Sequence, residues 1–240
     1  LKKFIPKKAV MIIYQPSDGY CYNSDTIFLY DFIRRFYLKG SCLDIGSGSG
    51  VLGLLIARNF DVKLTAVEKQ EKMAFFSKKN AEVNNIDIDL MVGDFLEMDL
   101  KKSFDFIISN PPFYHPDVIQ SEKTEINISR YSHHLPLDKL FKKVASLLKP
   151  KGYFIFCYDA KQLQDIVYHL SLNRLRIEAL RFVHPKRSRD ATLVMMKCRK
   201  NSKSFAKIIP PLYVFEDEKF SDEAQKIFKE AGVHSIKCLI

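Results

Sequence analysis

The stretch Cys42-Leu43-Asp44-Ile45-Gly46-Ser47-Gly48-Ser49-Gly50, followed at once by the apolar Val51-Leu52-Gly53-Leu54-Leu55-Ile56-Ala57-Arg58, is compatible with few folds. A short apolar strand, a turn of alternating glycines and a helix open a nucleotide-binding βαβ unit, because glycine tolerates the tight turn and lets a ligand approach the main chain. Glycine spacing alone is a weak signal; the strand-turn-helix setting gives it weight. One strand further on, Lys63-Leu64-Thr65-Ala66-Val67 runs into Glu68-Lys69, at about the separation expected for an acid that holds a ribose hydroxyl pair. The turn lacks the third glycine of the dinucleotide fingerprint, which favours a single nucleoside as ligand.

A second feature is the corner Ser109-Asn110-Pro111-Pro112-Phe113-Tyr114, directly after the apolar run Phe104-Asp105-Phe106-Ile107-Ile108. Proline has no N–H for a sheet ladder, and the second proline forces its predecessor to be extended, so the chain leaves the strand in a fixed direction. The corner offers an amide side chain, free carbonyls and an aromatic ring. These suit a planar substrate with an exocyclic NH2, whose hydrogens the carbonyls accept while the ring stacks on its face. A proline pair that merely stops a strand is the plain alternative; Asn110 before it and Phe113 after it argue against that.

Around these anchors the pattern alternates. Strands are expected at 62–67, 86–92, 104–109 and 152–158, with helices at 71–84 and 136–148, and a closing antiparallel hairpin at 176–184 and 191–198. Their apolar, β-branched composition suits a sheet covered on both faces, with ligands beyond the strand carboxyl ends. Residues 1–20 read as a basic extended arm or hairpin with Ile12-Ile13-Tyr14 against the body. Ser24 or Asp25 is expected to cap a helix running through Arg34-Arg35-Phe36-Tyr37.

Leu43 to Gly50, Glu68, Asp94 and Asn110-Pro111-Pro112-Phe113 together resemble the class I S-adenosylmethionine-dependent methyltransferases of the amino-methylating N-P-P-F/Y type. Within these, Gly19 to Asp25, Ser129-Arg130-Tyr131 and the tail from Leu212 to Ile240 are similar to the bacterial tRNA(1)(Val) adenine-N(6)-methyltransferases. The resemblance covers essentially the whole chain and implies a Rossmann-like α/β fold: a mostly parallel seven-stranded sheet with an antiparallel terminal hairpin and helices on both faces. It implies one methyltransferase domain over 1–240, with an arm and helix at 1–40, a core at 41–200 and an extension at 201–240. S-adenosyl-L-methionine is the implied cofactor, held by Asn23, Asp25, Asp44, Gly46, Ser47, Gly48, Gly50, Glu68, Lys69, Asp94, Phe95 and Asn110. For Asp25 a simple helix cap is an equal alternative. Asn110, Pro111, Pro112 and Phe113 are the implied catalytic corner, acting on the N(6) amino group of a tRNA adenosine, with adenosine-37 of tRNA(1)(Val) the target in the resembling group.

The formal charge of +10 favours polyanionic partners through counterion release, although a lysine-rich composition can also be mere solvated surface. The cations Arg181, Lys186, Arg187, Arg189, Lys197, Arg199, Lys200, Lys203 and Lys207 face the single acid Asp190 between 181 and 207. With Arg130, Tyr131, His133 and His134 from the polar insertion 117–134, the residues Lys186, Arg187, Arg189, Lys200 and Lys203 are the expected RNA contacts. Five scattered cysteines without a CxxC indicate neither a disulfide framework nor zinc, and adjacent histidines point apart, so no metal is expected. The basic start has too short an apolar run for a signal peptide, and no run approaches membrane-spanning length. A monomer in the reducing cytoplasm is the expected setting.

Two related chemistries share the N-P-P corner. Release-factor glutamine methyltransferases usually add an N-terminal helical domain, for which there is no room ahead of Cys42. Ribosomal guanine-N(2) methyltransferases often add a degenerate second domain. A non-enzymatic RNA- or nucleoside-binding module would not need Asn110 beside a cofactor loop.

Overall fold

Five apolar runs become parallel strands: β2 (Lys39–Ile45), β3 (Asp61–Glu68), β4 (Ile88–Val92), β5 (Phe104–Ser109) and β6 (Leu148–Asp159), side by side in the order β4-β3-β2-β5-β6. They belong to a computed structural model that describes residues 10–18, 21–111 and 135–239. The expected antiparallel hairpin, β7 (Leu175–His184) and β8 (Leu193–Lys200), completes the sheet, with β8 inserted between β6 and β7. The seven anticipated strands are thus joined by two short ones, β9 (Lys207–Ile208) and β10 (Leu212–Tyr213). Both lie parallel to β7 on its outer edge, making a nine-stranded sheet.

The strand order reverses between β2 and β5: the chain leaves β2 toward β3 and β4 and returns on the other side of β2 as β5. Carboxyl ends flanking such a reversal leave a crevice where no crossover covers the sheet, the usual ligand position of this architecture. Ile45 pairs with Ser109 at that point, so the glycine turn and the Asn110 corner emerge side by side.

Helices α1 (Ser24–Ile33), α2 (Val51–Asn59), α3 (Glu71–Val83), α4 (Leu137–Leu147) and α5 (Leu163–Leu172) cover the sheet, with α6 (Asp222–Ala231) against α1. In α4 the buried set Leu140, Phe141, Val144 and Leu147 follows helical spacing, and Phe141 packs edge-on or tilted against the stacked rings of Phe154 and Phe156. By contrast, α1 is buried from Thr26 to Ile33 and carries no polar face. It ends four residues earlier than expected. Phe36 N–H donates to the Ile33 carbonyl and Arg35 N–H to that of Phe32, which tightens the last turn and stops the helix, while Arg34 and Arg35 fold back onto the buried Asp31.

Among the described residues the arm contributes a single extended strand. β1 (Met11–Pro16) pairs in parallel with β13 (Val233–Cys238), bringing the first and last described strands together. Its other edge is met by α3: Asn84 and Asn80 each accept from and donate to the backbone of Ile12 and Tyr14 respectively, at 2.7–3.1 Å. Four residues of helix advance about as far as two residues of strand, roughly 6 Å, so two carboxamides at this spacing replace a neighbouring strand. In the tail, Ser221 caps α6 through Ala224 N–H, and Gly232 ends it with φ +58°. Before it, β11 (Phe215–Glu216) and β12 (Lys219–Phe220) form a short hairpin. No helix among the described residues is long and apolar enough to cross a membrane.

Candidate active site

A cleft open to solvent lies over the strand-order reversal. Its floor is the glycine turn. Gly48, at φ +55°, directs its N–H onto Glu68 Oε2 at 2.7 Å, and Gln70 N–H donates to Oε1 at 2.9 Å, so the end of β3 is tied to the turn after β2. Asp44, the penultimate residue of β2, accepts from Gly53 N–H at 3.0 Å in the first turn of α2. Only glycine permits this, because a Cβ on residue 53 would fall 2.7 Å from Asp44 Oδ2. Asn80 closes the arrangement from behind, donating to Ser49 O at 2.9 Å as well as to β1.

Both carboxyls are buried, and that sets their acidity. Loss of hydration pushes Asp44 up to about 7; the Gly53 amide opposes the shift and the neighbouring Glu68 adds to it. Glu68 is also raised by burial, against the pull of its backbone amide donors. Asp94 behaves differently. Partial burial raises it, but the Lys69 ammonium at 2.8 Å and the Leu96 N–H at 2.8 Å hold it below the usual carboxylate range. Beside it Phe95 is buried at the cleft wall, with Lys143 Nζ 5.0 Å from its ring centroid.

The corner residue Asn110 leaves β5 at the cleft edge. Its Nδ2 donates to Thr26 Oγ1 at 3.0 Å, and Cys157 Sγ donates to its Oδ1 at 3.0 Å. Of the expected cofactor residues, Asp44, Gly46, Ser47, Gly48, Glu68, Lys69, Asp94, Phe95 and Asn110 line this one cleft. Gly50 shapes the turn from outside the lining, at φ +85° before α2. Asn23 and Asp25 are not in the lining. Asn23, not Ser24 or Asp25, caps α1, accepting from Asp25 N–H and donating to its carboxylate, and the neighbours facing the cleft are Tyr22 and Thr26.

Tyr22, Thr26, Leu135 and Cys157 carry no local signal that marks them as site residues. Strand register would have found Cys157, since Ser109 lies opposite Phe156 and the next pair is Asn110 and Cys157. Pro111 is buried beside Asn110. Pro112, Phe113, Arg130, Tyr131, His133 and His134 lie outside the described residues.

The basic run divides. Lys186, Arg187 and Arg189 sit in the β7–β8 turn, at the same end of the sheet as the cleft, because Leu193 pairs with Asp159 at the carboxyl end of β6. Arg187 lies 4.7 Å over the Tyr213 ring, and Lys186 meets the exposed Glu218. Lys200 pairs with Leu175 at the opposite end, about 25 Å away along β8, with Lys203 just beyond. Lys200 Nζ is engaged by the Leu148 carbonyl at 3.0 Å. Arg181 is drawn inside, 2% exposed, between Asp31, Glu223 and the Pro210 carbonyl.

The cleft has the chemistry S-adenosylmethionine requires. Glu68 brings a buried carboxyl, Phe95 an aromatic wall and Asp44 a second buried carboxyl to the same cleft. The Ser47 hydroxyl is buried at the cleft without a hydrogen-bond partner among the described residues. Glycine turn, acid at the next strand end and Asn-Pro corner meet at the strand-order reversal of a methyltransferase domain, a class whose methyl donor is S-adenosylmethionine.

The model of the methyltransferase small domain family matches residues 23–162, and the chain belongs to that family. Over 160 residues it is 29% identical to a tRNA1(Val) (adenine(37)-N6)-methyltransferase of Porphyromonas gingivalis, covering 61% of this chain and 62% of that protein. Over 99 residues it is 37% identical to a release factor glutamine methyltransferase of Flavobacterium psychrophilum, covering 40% of this chain and 33% of that one. The chain thus spans less than two thirds of the length of either relative. Its fold is that of a crystallised Agrobacterium tumefaciens protein described as a predicted O-methyltransferase. That likeness has a TM-score of 0.67 at 15% identity and covers 89% of this chain and all of the other.

Proposed function

We propose that the chain methylates the N(6) amino group of an adenosine in tRNA, with adenosine-37 in the anticodon loop of tRNA(1)(Val) as target. The observation that carries this is Asn110: a carboxamide at a strand end beside the cofactor cleft, held in one orientation, in a chain similar to a named adenine-N6 tRNA methyltransferase. When bound, S-adenosylmethionine supplies an electrophilic methyl group. Everything else is positioning by the chain. The lone pair of an aromatic amine is delocalised into its ring, so Asn110 Oδ1 and the Pro111 carbonyl accept the amine hydrogens and let the nitrogen pyramidalise. They also stabilise the positive charge growing there. Phe113 is assigned to stack on the base and Pro112 to stiffen the corner. The proton leaves to water. An anticodon-loop adenosine is already partly unstacked, which lowers the cost of bringing it to the corner. The proposed substrate places the protein in the cytoplasm, and a single domain acting as a monomer suffices.

Glu68 is assigned to the ribose hydroxyls. Glu68→Ala is expected to weaken S-adenosylmethionine binding by about 1–3 kcal/mol, the range for an unmade buried hydrogen bond. Calorimetry that finds unchanged affinity in a folded variant removes Glu68 from the cofactor site.

RNA binding is assigned first to the β7–β8 turn, because it shares the cleft's end of the sheet, with Lys200 and Lys203 as outlying contacts. Reversing the charge of Lys186, Arg187 and Arg189 together is expected to reduce tRNA affinity and to flatten the log-log salt dependence by roughly one for each phosphate the protein no longer neutralises. Reversing Lys200 and Lys203 is expected to do less. Filter binding across a salt series checks both, and equal affinity of the turn variant at every salt makes this run a solvated face.

The release-factor relative supports glutamine methylation as the second reading, since the same corner can orient a side-chain amide.

A further inference from the structure

We propose that Thr26 and Cys157 are positioning residues that lock the Asn110 carboxamide with Oδ1 turned toward the incoming amine; the catalytic consequence rests on the amino-methyltransferase reading above. A carboxamide is almost symmetric in shape, and rotation by half a turn exchanges an acceptor for two donors. One orientation accepts the substrate's N–H, whereas the other sets NH2 against NH2. Asn110 therefore needs something that distinguishes its two ends.

The two neighbours differ in the required sense. Thr26 Oγ1, from the first turn of α1, accepts from Nδ2 at 3.0 Å, and Cys157 Sγ, from β6, donates to Oδ1 at 3.0 Å. A thiol is a weak acceptor, so facing the NH2 end it gains little, and facing the oxygen it contributes its proton. That proton is retained, because burial pushes the Cys157 thiol well up and the nearby Asp25 carboxyl adds to the shift. Both residues are largely enclosed, Thr26 at 5% and Cys157 at 0% exposure, which limits competition from water for the contacts. Oδ1 has two lone pairs. Cys157 takes one and leaves one for the substrate. Thr26 in turn is fixed by the Asn23 cap that sets the start of α1, and Cys157 by its register beside Ser109 and Asn110. The clamp thus joins an element before the glycine loop to one well after the corner.

The test uses the full chain and the variants Thr26→Val, Thr26→Ser, Cys157→Ala and Cys157→Ser. Thr26→Val is nearly isosteric and removes the acceptor; Cys157→Ser keeps a donor. Turnover on unmodified tRNA should fall about tenfold in Thr26→Val and in Cys157→Ala, as for one missing hydrogen bond, with KM and cofactor affinity within about twofold of the parent. The two Ser variants should recover most of the loss. Unchanged turnover in both deletions overturns the proposal. So does a Cys157→Ala loss that Ser does not rescue, since that marks packing.

A second readout does not depend on the substrate. With cofactor bound, the Asn110 side-chain NH2 protons, assigned by 15N NMR against Asn110→Asp, should exchange slowly with water in the parent and measurably faster in Thr26→Val. Fast exchange in the parent overturns the clamp. A parent that methylates no tRNA yet shows the slow exchange refutes the substrate and leaves the clamp standing.

Discussion

Replacing Asn110 with alanine is expected to slow methyl transfer by about 10²–10³-fold, the cost of losing one transition-state hydrogen bond in a preorganised site. Cofactor binding should stay near the parental value. Asn110 touches the cleft only at its edge, whereas the glycine turn, Glu68 and Asp94 make up the body of the cleft expected to hold the cofactor. The truncation also strands Thr26 and Cys157, each of which gives up its hydrogen bond with the carboxamide. Turnover and cofactor affinity therefore separate, and single-turnover methylation run beside calorimetry reads both. Near-parental turnover in a folded Asn110→Ala protein makes the corner a structural strand stop and removes the amino-methyltransferase reading.

Asp44→Asn is expected to change how stability depends on pH. In the folded chain burial raises Asp44 to about 7 from an ordinary 3.8. The folded state therefore holds this proton over a range where the unfolded state has released it. Its contribution to stability is fully present below the unfolded value and is lost as pH rises through about 7. The full swing is about 3–5 kcal/mol, because a tenfold change in a proton-binding constant corresponds to about 1.4 kcal/mol. Asparagine keeps an acceptor for Gly53 N–H and cannot ionise. Urea unfolding of the cofactor-free protein at pH 5 and pH 8 should show the variant gaining on the parent at the higher pH. A constant difference between them shows that Asp44 is not desolvated as the structure has it. Glu68, also raised, persists in the variant and leaves a residual slope of the same sign.

The sheet was legible because its strands are apolar and short and its turns carry glycine or proline, so period and punctuation agree. The gathering of the candidate residues was legible for a related reason: glycine turn, Glu68, Asp94 and Asn110 all close strands, and parallel strands bring their carboxyl ends together. What escaped depends on partners distant in sequence. The arm looks like a possible hairpin because nothing local reveals that Met11–Pro16 will pair with Val233–Cys238. Ser24 or Asp25 reads as the cap of α1, although Asn23 is an equally good capping residue one position earlier. Cys157 is one of several scattered thiols until β6 is set in register beside β5. The basic run looks continuous because charge in sequence does not show that β8 carries Lys200 to the far end of the sheet. Signals for α6 are present in Ser221, the acidic Asp222-Glu223 and Gly232, although nothing local indicates that it packs on α1.

The most direct test of the proposed activity is incubation of the purified chain with tritiated S-adenosylmethionine and total tRNA from a strain lacking the corresponding enzyme, followed by nucleoside analysis. Label in N(6)-methyladenosine, mapped to position 37 of tRNA(1)(Val) and abolished by Asn110→Ala, is the predicted result. Label that appears in N(2)-methylguanosine, or only in glutamine when release factor replaces tRNA, contradicts it.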